Sequence, residues 1–564
     1  MMKVLNQGKI KILGWRTLVY LSIFLCLMGV TIYPDEQAYW IQLFRGHRDG
    51  WVINNFMPMC ESFWTTKVPY SWRIGRELLY FMNGLIDRPV MFRALGLAYF
   101  LGLVYLFFSL EKNIIGNIQK EPGFFNILFF GLIPVSLVYL RPEALMLICL
   151  LFAILIFESN LNTRKRLTLG VFTLLFLYSV EVNLHGRAIF MAPIFIYLIG
   201  SMAFRIKSKI IIIFAFTIFL WLFIETLSVY RALYECGENK NVKEIIDSLR
   251  FNPEIIKSGY STFVFEILAR HKEIYNIFKG AVFFNPYGAF PLGPKDFGAF
   301  TLDLFGFVKT ILASIATFTL FGFLYLATCL RVMGATFRSR YFLTCGLMIF
   351  LYLDVILMKT DRFYEAAIFW PIIMLIFIYQ INIFNSLNLA WHAKASLLCK
   401  KLLLVSFYIM TTAFLAYYGK ELILKGGITY VSIRKHDSGL YRDAVQRAAT
   451  NSGIDLVRSK LLVGDFHTIH YTAVGSFPVM SNLFWWFSDK STSNYKDDYG
   501  KLKLLMDLNS DGFIARCDSM PEKIRPEAAI TLIDKNGEKS LENTLCTISI
   551  FHLKNINFES KLIK

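Results

Sequence analysis

The sequence predicts an α-helical polytopic membrane protein of about eleven transmembrane helices, with external amphipathic helices and a C-terminal α/β extracytoplasmic domain. Three observations predict it. Of 564 residues, 55% are apolar and 54 are Phe, against about 45–50% apolar in soluble domains. Eleven windows run with almost no charge: 17–33, 94–110, 124–140, 144–157, 167–180, 188–204, 210–230, 303–330, 341–358, 366–385 and 402–418. Most are long enough for a hydrocarbon core of about 30 Å, while 144–157 and 167–180 are short and call for extension, tilt or a break. The remaining stretch, 421–564, has a soluble composition.

The first window, 17–33, is expected to stay as a signal-anchor, because the bulky YPDEQAYW follows it instead of small residues at a cleavage site. The net charge of +18 is explained by topology. With the N-terminus cytoplasmic, the inner segments collect Lys3, Lys9, Lys11 and Arg16, then Lys112 and Lys120, Arg164 to Arg166, Arg205 to Lys209, Arg331 to Arg340, and Lys394 to Lys401. The short outer loops hold only Arg141, Arg187, Lys359 and Arg362. That asymmetry follows the positive-inside rule and argues against a nucleic-acid partner.

Three segments are expected outside the bilayer. Segment 34–90 is rich in Trp and Tyr, and its pieces DEQAYWIQLFRGH and SWRIGRELLYFMNGLI read as surface amphipathic helices. Segment 232–302 joins a charged helical part to FFNPYGAFPLGPKDFG, a composition suited to an ordered interfacial loop. The tail 421–564 carries the strand-like runs KLLVGDF, DGFIAR and TISIFHL and the helical runs GLYRDAVQRAATNSG and YGKLKLLMDL. The domain boundary is therefore set at 420/421.

Of nine cysteines, Cys60, Cys236, Cys517 and Cys546 fall in external segments, where an oxidising compartment permits disulfides. Four thiols allow three pairings, and the sequence does not choose among them. The WW pair Trp485–Trp486 reads first as packing, and His467 with His470 as structural, having no third ligand nearby.

The informative residues are the polar ones at the outer ends of the spans, because charge is costly in the bilayer. After the first span, TIYPDEQAYW supplies Asp35 and Glu36. YLRPEAL supplies Arg141 and Glu143, and YSVEVNLHGRAIF supplies Glu181, His185 and Arg187. MKTDRFYEAAIFWP supplies Lys359, Asp361, Arg362, Tyr364 and Glu365; Glu225 and Asp354 lie within spans. Any one turn is explained by loop polarity or headgroup anchoring. Four turns delivering carboxylates and guanidinium groups to one leaflet fit a cleft open to it. A carboxylate there can take a proton from an attacking hydroxyl, and arginine forks can hold a departing phosphate. Single displacement at an anomeric carbon would invert configuration.

The aromatic-Pro-Asp-Glu run directly after the first span, followed by amphipathic surface helices, resembles the GT-C glycosyltransferases. The protein O-mannosyltransferases and the bacterial lipid A aminoarabinose transferases are nearest in character. The features that carry the resemblance are Asp35–Glu36, the Arg-Pro-Glu of 141–143 and the turn DRFYEAAIFWP. Two departures are the Asp-Glu pair, where Asp-Asp is commoner, and the spacing AYWIQLFRGHRDGW, which matches no subfamily pattern.

The resemblance implies Asp35 as catalytic base with Glu36 assisting, and a polyprenyl-phosphate-linked sugar as donor. Arg141, Arg187, Lys359 and Arg362 would hold the donor phosphate, and Glu143, Glu181, His185, Asp361 and Tyr364 would line the cleft. The acceptor would be an envelope glycolipid, lipopolysaccharide or protein, and the location a bacterial inner membrane. An adjacent acidic pair suits a divalent cation (Mg or Mn) on Asp35 and Glu36, or none. The competing expectations are a glycan polymerase or ligase using polyprenyl-linked sugars, and a lipid or glycan flippase. The early acidic pair disfavours the first. Plain apolar midplanes without an internal repeat disfavour the second.

Overall fold

The computed structural model describes residues 17–30, 89–115, 123–131, 133–159, 163–184, 187–235, 259, 261–262, 265, 298–357, 368–387, 390–424, 438–454, 460–463, 477–478, 512–517, 530–531 and 544–549. The chain divides into two compact units. One comprises Met1–Val30, Arg93–Ser228 and Asp247–Tyr430; the other comprises Thr31–Phe92, Val229–Ile246 and Val431–Lys564.

In the first unit the described helices run in chain order: α1 (Thr17–Met28), α2 (Pro89–Ile115), a 3-10 segment (Phe124–Phe129), α3 (Ile133–Val138), α4 (Pro142–Glu158), α5 (Arg164–Leu184), α6 (Ala188–Ile206), α7 (Lys209–Glu235), α8 (Gly298–Thr328), α9 (Ala335–Leu357), α10 (Phe369–Ser386) and α11 (Ala390–Leu424). Among the described residues six are long and apolar enough to cross a membrane: α2, α6, α7, α8, α10 and α11. The chain is thus an integral membrane protein. The expected count of eleven is not reproduced, for identifiable reasons. The described part of α1 is short, and α4 has only 17 residues. Helix α5 opens on Arg164, Lys165 and Arg166, and α9 carries Arg338, Arg340 and Asp354.

The expected span 124–140 is a correction of a different kind. It is a 3-10 turn, a break and the six-residue α3, nearly all buried. Gly131 takes φ +52° at the break, a conformation that favours glycine. Backbone that leaves the α-helix at membrane depth must find its partners inside the protein. Here Glu111 of α2 supplies them: its carboxylate accepts from the amides of Gly123 (2.5 Å), Phe124 (3.0 Å) and Phe125 (2.9 Å). Asn126 Nδ2 donates to the Gly123 carbonyl at 2.7 Å, and the Tyr20 hydroxyl donates to Asn126 Oδ1 at 2.6 Å. The rings of Tyr20, Phe24, Phe100, Phe129 and Phe407 then pack α1, α2, the 3-10 segment and α11 together with tilted and edge-on contacts.

Helix α10 is the centre of this unit: 89% of its apolar stretch is buried, against 22% for α7 at the periphery. Its Gln380 reaches α8, donating to the Thr319 carbonyl at 2.6 Å, a polar interhelical contact of the kind that holds membrane helices together.

In the second unit, helix α12 (Ser438–Asn451) and five strands are described: β1 (Lys460–Val463), β2 (Phe477–Pro478), β3 (Gly512–Arg516), β4 (Ile530–Thr531) and β5 (Thr544–Ser549). The sheet order is β2-β1-β3-β5-β4. β1 lies parallel to β2 and β3, while β5 is antiparallel to β3 and β4. The runs KLLV, GFIAR and TLCTIS form the central three strands. Helix α12 packs on β5, where Thr547 Oγ1 donates to the Ala448 carbonyl and also meets the Ser452 hydroxyl. Cys517 and Cys546 form a disulfide next to β3 and within β5, one of the pairings the sequence left open.

Candidate functional site

The two ends of the helical unit differ in how their buried charges are satisfied. At one end Glu158, the last residue of α4, meets Arg340 near the start of α9. Arg340 Nη2 lies 2.6 Å from Glu158 Oε2, and Nε lies 3.2 Å from each carboxylate oxygen. The Tyr379 hydroxyl of α10 donates to Glu158 Oε1 at 3.0 Å, and Arg340 Nη1 donates to Asn382 Oδ1 at 2.6 Å. Asn382 in turn donates to the Ile114 carbonyl near the end of α2, again at 2.6 Å. This network ties four helices and leaves both oxygens of the carboxylate occupied, the usual condition of buried charge. Sequence reasoning assigned this end little beyond a surplus of Lys and Arg. Glu158 and Glu111 correct that view, and Arg340 contributes to an internal ion pair.

Because Glu158, Arg340, Asn382 and Ile114 mark one end, the start of α4, the end of α9, the start of α10 and the start of α2 lie at the other. There Arg141, the residue before α4, pairs with Glu143 in its first turn: Nε to Oε2 at 3.1 Å and Nη2 to Oε1 at 3.3 Å. Arg187, the residue before α6, lies 3.5 Å from Asp354 near the end of α9. Asp354 is within electrostatic reach of Glu143 as well, so the two pairs form one cluster. Glu181 sits in the last turn of α5, which joins α6 through a short link and therefore ends on the same side. Glu143, Glu181, Arg187 and Asp354 are all at least 98% buried.

This end does not balance its charges as the Glu158 end does. Among the described residues, neither oxygen of Glu181 and neither oxygen of Asp354 has a hydrogen-bond partner. Unsatisfied carboxylates in a buried site need an explanation, and storing potential for a ligand or a reaction is one. The same end presents the N-termini of α4 and α6, and neither has a side-chain cap. Helix N-termini carry positive potential that favours an anion, and Arg141 and Arg187 stand beside them, each paired with a carboxylate. The arrangement thus offers anion-holding and proton-accepting groups at one end of one bundle. Replacing Glu181 with Met should raise the unfolding temperature, corresponding to about 1–3 kcal/mol, because it removes a buried polar group without removing a described hydrogen bond. Thermal unfolding in detergent measures this, and a lower temperature would reveal a partner for the carboxylate.

Of the residues singled out from sequence, the structure therefore brings together Arg141, Glu143, Arg187 and Asp354, with Glu181 at the same end. Glu225 is half-buried in α7. Asp35, Glu36, His185, Lys359, Asp361, Arg362, Tyr364, Cys60, Cys236, His467, His470, Trp485 and Trp486 lie outside the described residues, as do most of segments 34–90 and 232–302. Among the described residues no group of three or more His, Cys, Asp or Glu gathers to hold a metal ion. Sequence reasoning missed Arg93, which is fully buried at this end. Its signal was available: a single Arg at the edge of the apolar run PVMFRALGLAYF.

No protein-family model and no curated protein sequence matches the chain. Among solved structures, the chain is similar to the archaeal oligosaccharyltransferase AglB from Archaeoglobus fulgidus in complex with an inhibitory peptide and a dolichol-phosphate. The identity is 10% and the TM-score 0.39, over 89% of this chain and 69% of that one.

Proposed function

We propose that the protein is an inverting membrane glycosyltransferase that moves a sugar from a polyprenyl-phosphate carrier to an envelope acceptor at the outer face of the membrane. The observation that carries this reading is the buried cluster of Arg141, Glu143, Arg187 and Asp354, with Glu181, at one end of the helical unit. The sequence places Asp35 and Glu36 directly after the first apolar run, five and six residues beyond Val30.

In this reading Asp35 takes the proton of the acceptor hydroxyl as its oxygen attacks the anomeric carbon. The bond from that carbon to the phosphate oxygen breaks, and its electron pair leaves with the lipid phosphate. Arg141 and Arg187, backed by two helix N-termini, receive the charge, and Lys359 and Arg362 are assigned the same task. Glu36 assists the base, while Glu143, Glu181, His185, Asp361 and Tyr364 line the cleft. A divalent cation, where one is used, would be held by Asp35 and Glu36 and would supply positive charge against the leaving phosphate. The Cys517–Cys546 disulfide supports an extracytoplasmic site for the chain after the last span.

Arg187→Gln tests the phosphate assignment. It is expected to raise KM for a labelled polyprenyl-phosphate sugar about tenfold or more, the loss of one charge-assisted contact, with a smaller effect on kcat. An unchanged KM would remove Arg187 from the donor site.

A further inference from the structure

Asp354 is the only acidic residue of α9, and the roles assigned above leave it without a task. Its side chain is 0% exposed, and among the described residues neither oxygen has a hydrogen-bond donor. Its described ion-pair partner is Arg187, whose Nε lies 3.5 Å from Oδ1. Helix α9 packs on α6 and α10. Arg187 stands at the near end of α6, while Tyr197 and Arg205 lie toward the other end. Helix α10 carries no charged side chain, and its one titratable group, Tyr379, is bonded to Glu158 at the far end. From the start of α4, Glu143 faces Asp354 with a second negative charge and is itself paired with Arg141. Arg93, the other buried cation described at this end, donates to the Val30 and Val138 carbonyls.

Two ion pairs in the same unit thus differ in kind. Arg340 contacts both oxygens of Glu158, at 2.6 Å and 3.2 Å, and the Tyr379 hydroxyl adds a further donor. That pair is locked by hydrogen bonds. The Arg187–Asp354 pair is longer, and among the described residues no hydrogen bond to Asp354 fixes it. An incoming phosphate can replace such a contact, because its oxygens bond a guanidinium fork directly. Arg187 also precedes α6, so an anion that takes it meets the positive end of that helix. Asp354 would then be left buried without a compensating charge, a cost that a proton removes.

We propose that Asp354 is the resident counter-ion of Arg187, displaced when the donor phosphate binds, and that it takes up a proton from solution in exchange. The charges balance. A guanidinium and a carboxylate become a guanidinium, a phosphodiester anion and a neutral carboxyl, and both sets sum to zero. The proposal rests on the reading of Arg187 as a ligand of the donor phosphate.

The test is calorimetric titration of the full chain in nanodiscs with a polyprenyl methyl phosphate, in buffers of different ionisation enthalpy. This probe is a diester with no second proton to titrate near neutrality, so every proton taken up goes to the protein. Wild type is expected to take up about one proton per bound diester, with affinity falling about tenfold per pH unit between about pH 6.5 and 8.5. The sign follows because only protonated Asp354 yields Arg187, and rising pH removes that form. Asp354→Asn is expected to take up no proton and to bind with an affinity flat in pH, about tenfold or more tighter at the alkaline end. Wild-type binding without proton uptake would overturn the proposal, as would uptake that survives in Asp354→Asn. Glu143→Gln and Glu181→Gln keep the assignment testable where Asp354→Asn fails to fold. Uptake is expected to persist in both, and its loss in either would move the proton to that residue. Sugar transfer in proteoliposomes separates this result from the proposed function. Proton uptake without transfer by wild type would leave the counter-ion exchange and remove the glycosyltransferase. Transfer without proton uptake would do the reverse, and a wild type that binds no diester would contradict both.

Discussion

Arg340→Met is expected to destabilise the helical unit by about 3–5 kcal/mol. The substitution keeps the bulk of the side chain and removes the guanidinium that contacts Glu158 at 2.6 Å and 3.2 Å and Asn382 at 2.6 Å. Glu158, with its side chain only 6% exposed, would be left with the Tyr379 hydroxyl as its described hydrogen-bond donor. Asn382, and through it the Ile114 carbonyl, would lose its anchor as well. Removing one partner of a buried pair costs more than the pair contributes, because an uncompensated charge remains. The double variant Arg340→Met/Glu158→Gln is therefore expected to recover part of the loss. Thermal unfolding in detergent, run on both single variants and the double, measures the coupling directly. Additive losses would show that the two groups do not act as a pair.

The second large effect concerns activity. Asp35→Asn is expected to lower transfer by about 10²–10⁴-fold, the usual contribution of a positioned general base. Asparagine is close to aspartate in shape but cannot accept the acceptor proton at neutral pH. Donor binding should persist, since the donor phosphate is assigned to Arg141 and Arg187, so the loss should fall on kcat. Arg187→Gln should show the opposite distribution, and the contrast separates base from phosphate-holding residues. Glu36→Gln serves as the neighbouring control, with a smaller loss expected if Glu36 only assists.

Much of the helical architecture could be read from hydrophobic runs, because long apolar stretches have few other stable fates. The positions of α2, α6, α7, α8, α10 and α11 follow from that pattern. The run 124–140 did not reveal its break in composition. Phe, Ile and Leu are equally at home in a membrane helix and in buried irregular chain. The sequence GLIP at 131–134 was the available signal, with Gly131 at positive φ and Pro134 near the start of α3. The partner that makes the break tolerable, Glu111, lies in the preceding helix, and no local pattern points to it.

The candidate site was partly legible for a related reason. Arg141 and Asp354 are 213 residues apart, yet Arg141, Glu143 and Arg187 stood out as charge at span ends and Asp354 as charge within a span. Alternating helix direction then gathers such ends without further information. Arg93 and Glu158 also sit at span ends, but each occurs alone in its stretch and reads as a boundary residue. Their roles depend on backbone carbonyls and on side chains from distant helices, which the sequence does not pair. The arginine-rich start of α9 was credited to membrane orientation, and Arg340 also serves the internal network.

The measurement that tests the central claim most directly is sugar transfer in proteoliposomes with a panel of labelled polyprenyl-phosphate donors, run on wild type and Asp35→Asn. The account predicts that wild type releases lipid phosphate and transfers label to an envelope acceptor with inverted anomeric configuration. It predicts that Asp35→Asn binds the donor and fails to turn it over. Uncleaved donor with every sugar, accompanied by its movement between leaflets, would contradict the account and identify a flippase.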